Sequence, residues 1–172
     1  MAALKVLQVV GFKNSGKTTL ALNLLEQAKN KGKTVAFIKH HGHGGPLELP
    51  KADTDSMRLL GSGADCSIAY GDGIIQMHQQ KQTATVEELV DYASLGNPDL
   101  ILVEGFKEAP FEKIVLLRSV EDSLELQKLQ NIVLAIAPEE LQLDNIRLIL
   151  QNDSKLLQNW FANWMVIDNE GI

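Results

Sequence analysis

Near its start the chain runs from an apolar stretch through a glycine-rich turn into an amphipathic helix, and few folds accept that order. Leu4 to Val10 reads LKVLQVV, the pattern of a strand buried on both faces of a parallel sheet. Gly11 to Thr18 reads GFKNSGKT, the spacing G-x-x-x-x-G-K-[ST]. From Thr18 to Lys31 the residues Leu20, Leu24, Leu25 and Ala28 recur at helical spacing, and Gly32 supplies a stop. Thr34 to Ile38 (TVAFI) is the next strand, which completes a βαβ unit expected to be right-handed.

Phosphate chemistry accounts for the residue types in the turn. Gly11 ends the strand sharply, and Gly16 lets the backbone pass close to phosphate oxygens. Successive N–H groups from Asn14 through Ser15 to Thr18 point into a concavity, where the helix start adds its positive dipole end. Lys17 reaches the β- and γ-phosphates of a nucleoside triphosphate, and the Thr18 hydroxyl is placed to ligate Mg²⁺. The spacing fixes only four positions, so its specificity comes from the strand before it and the helix after it. The metal needs an acid at the end of a neighbouring strand, and Glu104 follows the apolar run LILV at Leu100 to Val103. Glu104 could hold Mg²⁺ through a water or orient an attacking water. Asp53 and Asp55 are the rival acids.

The rest of the chain repeats the alternation. Residues 39–55 (KHHGHGGPLELPKADTD) form a long irregular loop, which in a compact domain is usually functional or disordered. Thr54 can cap a short helix to Leu60. Cys66 to Tyr70 and Ile74 to His78 flank Gly71-Asp72-Gly73, a hairpin signal. Thr85 and Glu88 form a capping box at the head of a helix. Lys113 to Leu117 and Ile132 to Ala137 read as strands with a helix, Glu121 to Leu129, between them. Asp144 and Ser154 can cap two last helices, and Met165 to Ile167 can add an edge strand. The expected class is α/β: a P-loop NTPase-like, mostly parallel sheet flanked by helices with a β-hairpin insertion, in one domain over residues 1–172.

Composition narrows the partners. A net charge of −6 argues against a nucleic-acid footprint, which needs clustered Lys and Arg. No apolar run approaches the ~18 residues of a membrane span. The first residues lack the charged region and cleavage site of a secretory signal, and the single cysteine, Cys66, allows no intrachain disulfide. Together these point to a cytoplasmic protein. Cys66 opens a strand and is expected to be a small buried hydrophobe. The stripe Leu156, Leu157, Trp160, Phe161 and Trp164 is expected to be core, with a dimer surface as the alternative.

The base is less legible than the phosphates. Asn30-Lys31 ends the first helix and cannot serve as a guanine-reading N-K-x-D. The loop Pro138-Glu139-Glu140 follows a strand, and an acid there can accept from guanine N1 and N2, which leans towards GTP over ATP. His40, His41 and His43 raise a zinc question, with Asp53, Asp55 or Cys66 as further ligands, although such histidines are more often solvated or substrate-facing.

Taken together, GFKNSGKTT, Lys39-His40-His41 with His43, Asp53 to Arg58 (DTDSMR), Gly63 to Asp65, Val103 to Lys107 (VEGFK) and the Pro110 to Ile114 segment resemble the molybdopterin-guanine dinucleotide biosynthesis protein B family. The resemblance covers about residues 4–138. It implies a small GTP-binding protein with weak GTPase activity. Members of the family act beside the molybdenum cofactor guanylyltransferase that joins GMP to molybdopterin, and tend to be homodimers. Carried over by motif, Gly11 to Thr19 (Lys13 and Thr19 included) bind phosphates and Mg²⁺. Lys39, His40, Asp55, Arg58, Glu104 and Lys107 line the same cleft. Lys39, Arg58 and Lys107 could also pair with the phosphate of molybdopterin.

Within that reading Glu104 or Asp55 assists water, and Arg58 is the best candidate for a cis arginine. Three alternatives stand beside it: a nucleotide-dependent binding or carrier module, a metallochaperone GTPase, and a small-molecule kinase. The kinase would want an arginine-rich lid, and Arg58, Arg118 and Arg147 are scattered.

Overall fold

The computed structural model describes residues 4–42, 45–126 and 128–166. In chain order they form β1 (Lys5–Gly11), α1 (Lys17–Asn30), β2 (Val35–Lys39), α2 (Asp55–Gly61), β3 (Cys66–Gly71), β4 (Ile74–Gln79), α3 (Val86–Ser94), β5 (Leu100–Glu104), β6 (Glu112–Leu116), α4 (Val120–Leu126), β7 (Ile132–Ala137), β8 (Leu148–Leu150) and α5 (Ser154–Val166). Two compact units result. One takes the chain to His40 and again from Val86; the other is His41–Thr85.

The first unit is a six-stranded sheet in the order β2-β5-β1-β6-β7-β8, and every neighbouring pair is parallel. The expected class is therefore met. The pairing of Lys5 with Leu100 and of Gly11 with Leu116 puts β1 between β5 and β6. From β1 the chain crosses to β2 on one side, whereas β6, β7 and β8 continue to the other. The strand order thus branches at β1, and in open α/β sheets ligands bind at the carboxyl ends of strands at such a point.

The alternating faces of β1 explain the layers. Leu7 and Val9 face α1 and α5, where they join Leu20, Leu24, Ala28, Trp160, Phe161 and Trp164 in the largest core cluster. The expected core role is met by Trp160, Phe161 and Trp164, with Leu157 partly buried against them, whereas Leu156 is exposed. On the other face Ile101 and Val103 meet Val86 and Leu89 of α3, and Val115 and Ala135 meet Leu126 of α4. Burial on both faces is what continuous apolar strands such as LILV require.

Four expectations are corrected. No helix starts at Asp144; the consecutive apolar residues Leu148, Ile149 and Leu150 instead extend the sheet beside β7, with Ile149 buried. Met165 belongs to α5 rather than to an edge strand, because it continues the buried face of Phe161 and Trp164; Ile167 lies outside the described residues. Asp153, not Ser154, caps α5, its Oδ1 accepting from the Leu156 N–H at 2.9 Å. Cys66 is exposed rather than buried.

The second unit holds α2 and the antiparallel hairpin β3–β4. Met57 and Leu60 of α2 are buried, and Ser67 Oγ donates to the Ser56 carbonyl at 2.9 Å, tying β3 to α2. The cross-strand pairs Ile68–Met77 and Tyr70–Ile75 share the opposite face of the hairpin and are exposed.

Candidate functional site

The Gly11–Thr18 loop leaves β1 at the branch of the sheet. A side chain on Gly11 would meet Ser15 Oγ at 2.6 Å and the Leu116 carbonyl at 2.9 Å, so only glycine lets the loop turn this close to β6. Asn14 (φ 59) and Gly16 (φ 90) are left-handed, the kind of alternation that turns successive N–H groups into one concavity. No side chain caps α1 and no acid stands in its first turn, so the positive end of the helix is left to whatever enters the loop.

Glu104 ends β5, in register with Val9 on one side and Lys39 on the other. The residue is 5% exposed. Thr18 Oγ1 lies 3.1 Å from Oε2, and Lys39 Nζ lies 2.7 Å from Oε1 and 3.4 Å from Thr18 Oγ1. Thr18 and Glu104, named from sequence as the metal side, are thus brought together. A hydroxyl and a carboxylate are hard oxygen donors, the type Mg²⁺ takes, and the pair already accommodates a cation in Lys39.

A clasp behind Glu104 fixes its position. Gly105 (φ 96) and Phe106 (φ 52) turn the chain sharply, and Gln8 Nε2 donates to both of their carbonyls at 3.0 and 2.9 Å. The His40 N–H donates to the Glu104 carbonyl at 2.9 Å, and its ring packs on Phe106 with centroids 4.5 Å apart and the planes tilted by 33°. Beyond the turn, Lys107 Nζ sits 4.2 Å from the centre of the Phe12 ring.

Lys17 Nζ donates to the Phe12 carbonyl at 2.7 Å. Its pKa is lowered from the ordinary lysine value, first by burial; Glu104 opposes this, and Lys39, Lys107 and Arg118 add to the lowering. Lys17 thus sits in the field of three further cations, Lys39, Lys107 and Arg118, against the buried Glu104, and Arg118 is itself paired with Asp122; the surplus of positive charge at the loop favours an anion.

The other predicted residues are placed as follows. Lys13, Asn14 and Thr19 are exposed along the loop and the first turn of α1. Asp55 and Arg58 belong to the second unit, in α2, where they face each other at 3.8 Å and are both exposed. Asp53 and His41 are exposed, and His43 lies outside the described residues. Among the described residues no three His, Cys, Asp or Glu side chains gather to hold a metal. Glu139 and Glu140 are exposed just past the carboxyl end of β7. Lys113, part of the Pro110 to Ile114 motif, is fully buried, and its ammonium donates to the Ala109 and Gln130 carbonyls at 2.7 Å each. Burial lowers its pKa, and its role is to tie loops together.

Sequence reasoning missed Gln8, Arg118 and Asp122. Gln8 carried a signal as the one amide in an apolar strand. Arg118 and Asp122 sit at i and i+4, a spacing common on helices, and nothing local ties them to a loop far earlier in the chain.

Comparison with known proteins follows the same outline. A family model described as molybdopterin guanine dinucleotide synthesis protein B matches residues 6–139. The chain is 36% identical over 135 residues to a probable molybdopterin-guanine dinucleotide biosynthesis adapter protein of Bacillus subtilis, covering 78% of each chain. It is 30% identical over 162 residues to the corresponding adapter protein of Haemophilus influenzae, covering 93% of this chain and 89% of the relative. Among solved structures, the MobB protein homolog from Bacillus stearothermophilus superposes with a TM-score of 0.76 at 32% identity, over 93% of this chain and 97% of the other.

Proposed function

The chain belongs to the molybdopterin guanine dinucleotide synthesis protein B family, and from that premise we propose that it is a GTP-binding adapter in molybdopterin-guanine dinucleotide biosynthesis. The observation that carries the nucleotide reading is the meeting of Thr18 with the buried Glu104 at the mouth of an uncapped helix start, with Lys39 on Glu104 and Lys17 beside them in the field of Lys107 and Arg118. Lys17 and the loop N–H groups would hold the phosphates. Thr18 and Glu104 would hold Mg²⁺, which supplies charge neutralisation between the β- and γ-phosphates when bound. Lys39 and Lys107 add positive charge at the rim and are suited to the phosphate of molybdopterin as well. The adapter works in the cytoplasm beside the molybdenum cofactor guanylyltransferase.

Turnover in this reading is slow. Arg118, the arginine nearest the loop in the first unit, is held by Asp122 at 2.8 Å and is not poised for a developing charge, and Arg58 is an exposed side chain of α2. The same observation supports a second reading, a binding module that uses GTP as a conformational ligand without catalysis. Calorimetry with GTP and ATP, with and without Mg²⁺, followed by phosphate release in the same samples, separates these. Tight Mg²⁺-dependent GTP binding with slow release supports the GTPase, and a flat release supports the module. No binding of either nucleotide would end both.

The adapter is also proposed to be a homodimer through its hairpin. Ile68, Tyr70 and Ile75 are 64%, 76% and 70% exposed on one face of a two-stranded sheet. An isolated hairpin is marginal in water, and a clustered apolar face of this kind marks an interface. Replacing Ile68 and Ile75 together by Glu is expected to convert the dimer to monomer by light scattering. A wild-type chain that stays monomeric at every concentration would remove the assignment.

A further inference from the structure

We propose that Arg118 and Asp122 are a positioning pair that holds the outer limb of the Gly11–Thr18 loop in its anion-receiving shape. Arg118 follows β6 and Asp122 lies in the first turn of α4. Asp122 is 5% exposed and accepts three hydrogen bonds from Arg118: the backbone N–H at 3.0 Å, Nε at 2.8 Å and Nη2 at 2.9 Å. This two-pronged pairing fixes the plane of the guanidinium. Arg118 holds the Asp122 carboxyl below the usual carboxylate range.

The remaining terminal nitrogen reaches across the sheet. Arg118 Nη1 donates to the carbonyl of Lys13, 105 residues earlier, at 3.2 Å, and the guanidinium carbon stands 5.1 Å from the centre of the Phe12 ring. Phe12 and Lys13 are the two residues that follow Gly11, and Lys107 Nζ also contacts the Phe12 ring. The limb so held leads directly into Asn14, which is left-handed at φ 59°, a conformation that asparagine adopts more readily than most side chains but that still costs more than the right-handed one. Such a conformation persists where its surroundings support it, and Arg118, beside Lys107 on the Phe12 ring, gives that support from outside the loop through the preceding two residues. Arg118 thus acts through the backbone of the loop. Its consequence for affinity rests on the nucleotide reading above; its consequence for loop order does not.

The test uses the full chain with Arg118→Gln, Arg118→Lys and the near-isosteric Asp122→Asn. Amide hydrogen exchange is measured first without nucleotide. Exchange in residues 12–18 is expected to rise about tenfold in all three variants while β1 and β5 stay protected, because one charge-assisted contact set is lost locally. GTP affinity is then expected to fall about tenfold in each, with the double variant Arg118→Gln/Asp122→Asn no weaker than Arg118→Gln alone. Lysine keeps the charge but cannot both fork Asp122 and reach Lys13, so it should not rescue. Unchanged loop exchange in the variants, or full rescue by Arg118→Lys, would overturn the pair. A wild-type chain with no GTP affinity would instead overturn the nucleotide reading, while the exchange result still decides the pair.

Discussion

Lys17→Ala is expected to weaken Mg²⁺-dependent GTP binding by about 100-fold while leaving the melting temperature of the free protein nearly unchanged. The argument is one of asymmetry. Lys17 sits in the first turn of α1, its side chain is only partly buried, and its one hydrogen bond is to the Phe12 carbonyl at 2.7 Å. Folding therefore gains little from it. Its pKa is lowered by burial and by the neighbouring cations Lys39, Lys107 and Arg118, so the free protein holds this ammonium at a cost. A triphosphate relieves that cost, which makes the group worth more to the complex than to the fold. Calorimetric titration of wild type and variant, with thermal melts of both, measures the split. Full affinity in a folded Lys17→Ala variant would show that phosphates do not bind at this loop.

The same contrast between local and distant causes explains how much could be read from the residues alone. β1, α1 and β2 were legible because a buried strand, a glycine turn and a 3.6-residue period are each written within a few positions. Thr18 and Glu104 could be paired in advance, since both motif and strand end point at the sheet's carboxyl edge. β8 was misread because Asp144 offers a cap and Leu148-Ile149-Leu150 fits either state when short. Only the open edge of β7 decides for a strand. Asp55 and Arg58 are grouped with the loop by motif order alone; within the second unit α2 sets them one turn apart, at 3.8 Å. Arg118 and Gln8 act on carbonyls of Lys13, Gly105 and Phe106 that are far away in sequence, so no local pattern could announce them.

Gly105→Ala is expected to destabilise the protein by about 3 kcal/mol, on the order of 10 °C in melting temperature. Two effects add. The backbone is left-handed at φ 96°, which an L side chain resists, and a Cβ there would stand 2.7 Å from His40 Cβ. His40 cannot easily give way. Its N–H is bonded to the Glu104 carbonyl, and its ring packs, tilted, against Phe106. Phe106 is itself held by Gln8. The strain would therefore pass to Glu104, the carboxylate beside Thr18 and Lys39, so Mg²⁺ dependence of GTP binding should fall along with stability. Gly32→Ala is the control. It is also left-handed, at φ 73°, but nothing lies within 4 Å of its added Cβ, so only the backbone cost of about 1 kcal/mol applies. Equal losses in the two variants would mean that the approach of His40 contributes nothing. A larger loss at Gly105 that leaves the metal dependence intact would mean that the turn supports the fold without holding Glu104.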